Sequence, residues 1–303
     1  QGSSDFGEGS GITGKEFDEL SDDELKEIMN ENKSLIFSRV SPEHKLRIVK
    51  NLKDQQKIVA VTGDGVNDAP ALKSAHIGVA MGGMGTDVSK QAAELILLDD
   101  SFPTLVYAIK EGRNIYNNLK KTVIASLTSN GGELAVVLLG LLGVSLFNLP
   151  VPILAIQILA IDLLAEILPL TAFTFDPGSK DIMRSPPREK DEHIVNKRSF
   201  SEIAFFGFLM GFLAYLNFYL FNGRMGIMDM TASNPLYARA TTITYLTIAF
   251  TQLTNIMSRR YEKITLFNKN IVSNMKMVYS VLLSIVMIVI AIYTPFINQY
   301  LGF

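Results

Sequence analysis

The sequence predicts two kinds of fold in one chain: part of an α/β domain over residues 1–121, and an all-α bundle of about five membrane-spanning helices over residues 122–303. Three observations carry this. Short β-branched runs ending in glycine turns alternate with helix-like stretches in the first part. Long apolar runs separated by short charged loops fill the second. Three carboxylates, Glu133, Asp162 and Glu166, fall near the middle of two of those apolar runs. A charge at the bilayer centre costs roughly 2.5–3.5 kcal/mol on insertion scales, so its presence there points to a task.

In the first part, KIVAVT (57–62) reads as a buried strand that runs into Gly63-Asp64-Gly65, after which residues 67–75 read as a helix. A second strand over 76–81 ends in Gly82-Gly83, and a third over 94–98 ends in Asp99-Asp100. Parallel sheets hold ligands at the carboxyl ends of their strands, which is where Asp64 and Asp68 fall. Paired acids on a glycine turn suit Mg2+; the same spacing equally fits a plain tight turn.

The apolar runs are 122–143, 152–173, 200–221, 238–257 and Met275–Tyr293. Lys120, Lys121, Lys180, Arg184, Arg188, Lys190, Lys197, Arg198, Arg259, Arg260, Lys263, Lys269 and Lys276 flank one set of their ends. Around 144–151 and 222–237 only Arg224 occurs. The positive-inside rule therefore places the first set of ends, and residues 1–121, in the cytoplasm. Asp162 and Glu166 are four apart and share a helix face, so with Glu133 they form an oxygen-rich cation site. Gly131-Gly132 weakens the helix beside Glu133, and Pro169 cannot donate to the carbonyl of Ala165, leaving a backbone oxygen for an ion.

Composition excludes several other classes. With 28 basic against 30 acidic residues in 303, the charge balance offers no support for nucleic-acid binding. The absence of cysteine removes disulfides and thiolate metal sites. His44, His76 and His193 are scattered and form no metal set, and QGSSDFGEGSG is not a secretory signal.

TGDGVNDAPAL (62–72) is a highly specific string, and with SPEHK (41–45), IGVAMG (77–82), GTDVSKQAAELILLDD (85–100) and EGRNIYNNLKK (111–121) it closely resembles P-type ATPases. The resemblance spans nearly the whole chain and is similar to the type II branch of calcium and sodium/potassium pumps. It implies a haloacid dehalogenase-like phosphorylation domain and ATP-driven cation transport through an aspartyl-phosphate cycle. By resemblance Asp64 holds Mg2+, Asn67 and Asp68 support the phosphate site, and Lys45 contacts the phosphoryl group. SNGGE (129–133), IDLLAEILP (161–169) and QLTN (252–255) resemble the family's ion helices, which puts Asn130, Glu133, Asp162, Glu166, Gln252 and Asn255 on or beside coordinating positions.

Departures from the pattern matter too. No DKTGT nucleophile string and no TGE string occurs, so the resemblance implies a carboxyl-terminal piece whose partners are the lipid bilayer, the transported cation and the missing N-terminal part of the pump. ATP is then bound mainly by an absent domain. Calcium pumps usually have Asn where Asp162 stands, and both branches commonly have Thr-Asp at Ala165-Glu166. Residues 181–199 and the DVSKQAAELILLDD segment resemble the sodium/potassium subgroup more closely, and QLTN resembles plasma-membrane-type calcium pumps. An acid-rich, all-oxygen site fits Ca2+ by hardness, a preference Na+ shares, so Ca2+ is the expected ion with Na+ or Na+/K+ as the alternative. A truncated paralogue that binds ions without catalysis is a second reading. A Mg2+ phosphatase fused to a channel is a third, and it lacks the DxD pair it needs. Residues 111–121 carry no Pro, and no Gly after Gly112, so they read as a stiff helix continuing into the first membrane run.

Overall fold

Short β-branched segments and well-capped helices build the first unit of this computed structural model, which describes residues 11–32, 34–178, 181–188, 192–225, 234–260 and 273–303. The chain forms two compact units, residues 1–110 with 187–191, and residues 111–186 with 192–303. In the first, β1 (Gly11–Thr13) pairs in parallel with β2 (Ile36–Ser38). Helices α1 (Gly14–Glu19) and α2 (Asp22–Glu31) lie between them. Both start with capping boxes, Thr13 with Glu16 and Ser21 with Glu24, which satisfy backbone N–H groups that the first turn leaves over. Helix α3 (Pro42–Asp54) follows its N-cap Ser41, with Pro at the start where no N–H is needed.

A parallel three-stranded sheet runs in the order β3 (Ala60–Gly63), β4 (Ile77–Met81), β5 (Leu95–Leu97). A single 3₁₀ turn at Val66–Asp68 leads from β3 into α4 (Ala69–Ser74), and α5 (Asp87–Ala92) precedes β5. The strands are shorter than the runs that predict them. Val79, Leu97 and Leu105 form one buried cluster of this unit; Val49, Val59 and Ala71 form another.

Helix α6 (Phe102–Phe147) is unbroken over 46 residues and contains residues 111–121 as expected, with no interruption at Gly131-Gly132. In the second unit α7 (Ala155–Ile161) passes through a π-helical segment, Asp162–Glu166, into α8 (Ile167–Ala172). Then come α9 (Lys197–Met225), α10 (Pro235–Ser258), α11 (Met275–Tyr293) and α12 (Pro295–Leu301). The main core of this unit joins Val136, Ile161, Ala165, Ala214, Tyr245, Ile248 and Ile288.

Among the described residues, four helices are long and apolar enough to cross a membrane: Phe102–Phe147, Ala155–Phe175, Lys197–Asn222 and Met275–Tyr293. The fifth expected run, 238–257, is helical within α10 but does not meet that measure. Thr241, Thr242, Thr244, Thr247, Thr251, Thr254, Gln252 and Asn255 dilute its apolar character, yet Tyr245, Ile248 and Ala249 are wholly buried. Of the basic residues used for orientation, Lys180, Lys190, Lys263 and Lys269 lie outside the described residues, as do residues 1–10 and 226–233.

Candidate cation site

Helix α6 places Glu133 inside the second unit at a point where two helices touch backbone to backbone. Gly207 and Gly211 of α9 face Gly131, Gly132 and Ala135. A Cβ at Gly211 would stand 2.5 Å from the Ala135 Cβ and 2.5 Å from the Gly132 carbonyl oxygen. Only glycine permits this approach. It fixes the turn on which Glu133 sits.

The π-helical segment supplies the other two acids, one at each end. Its wider turn, with the Ile167 N–H donating to the Asp162 carbonyl five residues back, is the kind of local irregularity that recurs at functional sites. Glu133, Asp162 and Glu166 each offer an oxygen, and these atoms all lie within 4.8 Å of one another. Glu133 and Glu166 are buried and Asp162 is half-buried. From α10, the Gln252 Nε2 donates to the Glu133 Oε1 at 2.8 Å.

At an effective dielectric of about 20, two unit charges separated by 4.8 Å repel by about 3–4 kcal/mol. Three such acids together therefore call for compensating positive charge. Glu166 Oε2, Gln252 Oε1 and Ser129 Oγ are buried oxygens with no hydrogen-bond partner in the protein, and so remain available to a ligand. Hard oxygens from three carboxylates and an amide suit Ca2+ or Na+ by chemistry.

Not every expected residue joins this group. Asn130 lies on an exposed face of α6. Asn255 is committed elsewhere: its Nδ2 donates to the Ala125 carbonyl at 3.2 Å, and its Oδ1 accepts from Arg259 Nε at 3.4 Å. Ser129 was not foreseen from the sequence. The signal for it was its position four residues before Glu133, which puts it on the same helix face.

In the first unit, the N-terminal half of α3 brings Lys45 to the turn after β3. Lys45 Nζ donates to Asp68 Oδ1 at 2.5 Å, and Asp68 Oδ2 accepts from the N–H groups of Asp64 and Gly65, both at 3.3 Å. Burial pushes the Asp68 carboxyl up, but the Lys45 ammonium and those two N–H groups outweigh it and hold it below the usual carboxylate range. The Asp64 carbonyl accepts from Thr86 N at 2.9 Å and Ser89 Oγ at 3.1 Å, while the residue's surface stays exposed. Asn67 is exposed beside it.

Residues 150–303 match the family model described as cation transporting ATPase, C-terminus. A calcium-transporting ATPase of Bacillus subtilis (strain 168) is 40% identical over 284 residues, covering 94% of this chain and 30% of that protein. Calcium-transporting ATPase 1 of Saccharomyces cerevisiae is 36% identical over 289 residues, covering 94% of this chain and 28% of its own length. The sodium/potassium-transporting ATPase subunit alpha-3 of Gallus gallus is 42% identical over 217 residues, 70% of this chain and 21% of that subunit. The chain thus spans less than a third of the length of these relatives.

Proposed function

The chain belongs to the cation-transporting P-type ATPases and is a multi-pass integral membrane protein, and from that premise we propose that it forms the carboxyl-terminal part of an ATP-driven pump whose cargo is Ca2+. Residues 1–121 then serve as the end of a haloacid dehalogenase-like phosphorylation domain on the cytoplasmic side, and residues 122–303 as the membrane domain. The observation that carries the reading is the convergence of Glu133, Asp162 and Glu166 within 4.8 Å inside a helical bundle. Relatives named both calcium-transporting and sodium/potassium-transporting keep Na+ or Na+/K+ as the alternative cargo.

In this reading the cation displaces protons from the three acids, and Gln252 adds an amide oxygen while holding Glu133 in place. Release reverses the exchange when the site opens to the other side, the usual arrangement for a midplane site lined by irregular helix. Asp64, exposed at the end of β3 with its backbone tied down, fits Mg2+, which prefers few carboxylates plus phosphate oxygens. Asp64 would hold Mg2+ there, and the ion would supply positive charge to a phosphoryl group. Lys45 carries the second positive charge, oriented by Asp68, and Asn67 contributes an amide on the same turn.

The test is made in the complete pump. Glu133→Gln and Asp162→Asn are expected to abolish cation-stimulated phosphorylation by ATP while leaving protein abundance intact. Unchanged cation dependence in both variants removes these residues from the site. Titration of the parent with Ca2+, Na+ and K+ separates the two cargo assignments.

A further inference from the structure

The second unit holds another buried set of charges, away from the carboxylate cluster, where α6, the segment after α8, the end of α10 and the start of α11 meet. Arg260 and Asp176 are both buried, and Arg260 Nε donates to Asp176 Oδ1 at 2.8 Å. Arg260 Nη2 donates to Ser273 Oγ at 2.9 Å. Asn274 Nδ2 donates to the same Asp176 oxygen at 3.2 Å and to the Ala172 carbonyl at 3.0 Å, while its Oδ1 caps α11 through Met277 N. Asn118 Nδ2 donates to the Asp176 carbonyl at 2.9 Å. Lys121 Nζ donates to the Arg260 carbonyl at 3.0 Å and stands 3.9 Å from Asp176 Oδ2.

Each element that carries a proposed ligand also enters this node. Lys121 lies on the same helix as Glu133, about 18 Å along its axis by helical rise. Asp176 follows Glu166 through α8, and Arg260 lies just past the C-terminal end of α10, the helix that carries Gln252. A buried ion pair is weak as a source of stability, because desolvation offsets most of its attraction. Its directional hydrogen bonds do something an apolar contact does not: they stop neighbouring helices from sliding. Fixing register is the best-attested use of such pairs.

We propose that Asp176 is a positioning residue: its pair with Arg260 sets the axial register of α6, the Asp162–Glu166 segment and α10, and thereby the cation affinity of a site it does not touch. The proposal rests on the reading of Glu133, Asp162 and Glu166 as the cation site.

The test measures radiolabelled Ca2+ binding and thermal unfolding of the complete, detergent-solubilised pump, with Glu133→Gln as the site control. Asp176→Asn takes the carboxylate away from the Arg260 Nε and weakens the directional bond between the two segments, and is expected to weaken Ca2+ binding by about 10-fold, or about 1.4 kcal/mol. Asp176→Asn with Arg260→Gln restores a neutral hydrogen-bonded pair and is expected to recover most of that loss. A lowered unfolding midpoint with parental Ca2+ affinity in the folded protein would show a purely structural role and overturn the proposal. If Asp176→Asn does not accumulate, Arg260→Lys takes its place, with its charge kept and its fork lost, and parental affinity there is equally fatal. Loss of binding in Glu133→Gln beside parental binding in the node variants overturns the node alone. Parental binding in Glu133→Gln overturns the site, and the node with it.

Discussion

Gly211→Ala puts the close contact between α9 and α6 under direct test. The added methyl would lie 2.5 Å from the Ala135 Cβ, 2.5 Å from the Gly132 carbonyl oxygen and 2.8 Å from Val136 N. Carbon contacts settle near 3.5–4.0 Å, so the helices must part by about 1 Å. None of the three obstacles is a flexible side-chain end. Overpacking of this kind costs about 1–3 kcal/mol, against which alanine's helix propensity returns about 1 kcal/mol. The net is a loss of up to about 2 kcal/mol, placed on Gly132, Ala135 and Val136 around Glu133. A displacement of that size breaks the 2.8 Å bond from Gln252 to Glu133. Cation affinity in the complete pump should therefore fall by about 10-fold, worth about 1.4 kcal/mol. The control is Gly112→Ala on the same helix, where a Cβ meets nothing within 4 Å; it should be neutral or stabilising. Parental affinity and parental thermal midpoint in Gly211→Ala would refute the claim that this approach positions Glu133.

Two further variants probe the two sites separately. Ser129→Ala removes a buried hydroxyl that has no protein partner, so thermal stability should hold or rise while Ca2+ affinity drops several-fold; unchanged affinity in an equilibrium binding assay would exclude Ser129 from the site. Lys45→Met removes the main group that lowers the Asp68 carboxyl. A depressed carboxylate stabilises the fold above its unfolded value of about 3.9 and loses that contribution as pH falls through its folded value. The stability gap between parent and Lys45→Met should therefore be widest at neutral pH and close as acidification protonates the depressed carboxylate, as read from unfolding midpoints across pH. A gap that widens in acid would contradict the assigned sign.

Much of this arrangement was legible before any coordinates. Glu133, Asp162 and Glu166 stand out because charge in an apolar run is costly, and their convergence needed only helical spacing and membrane depth. The glycine turn after β3 was legible from the β-branched run that ends in Gly63-Asp64-Gly65; the structure adds that an Asp68 side chain lies 2.5 Å from where a Gly63 Cβ would be. The π-helical turn between Asp162 and Glu166 was not. It depends on which carbonyls find donors in the packed bundle, and no residue pattern records that. The partners of Asn255, expected at or beside a ligand position, were not legible either: its Nδ2 donates to the Ala125 carbonyl and its Oδ1 accepts from Arg259 Nε. The Asp176–Arg260 pair joins positions 84 residues apart, so local pattern could not reveal it.

The threonines of α10 bear on how the chain enters its bilayer. Thr242, Thr244, Thr247, Thr251 and Thr254 each donate their hydroxyl to the carbonyl four residues earlier. Each is thus satisfied within its own helix, and the segment tolerates lipid without being oily enough to be a strong stop signal. The bond from Asn217 Nδ2 to Thr247 Oγ1, at 3.0 Å, ties it to the strongly apolar α9. Biogenesis of this region is therefore expected to proceed by hairpin: the translocation machinery releases α10 sideways together with α9, and α10 alone slips through. A glycosylation reporter placed after α10, with and without α9 ahead of it, distinguishes paired from independent integration.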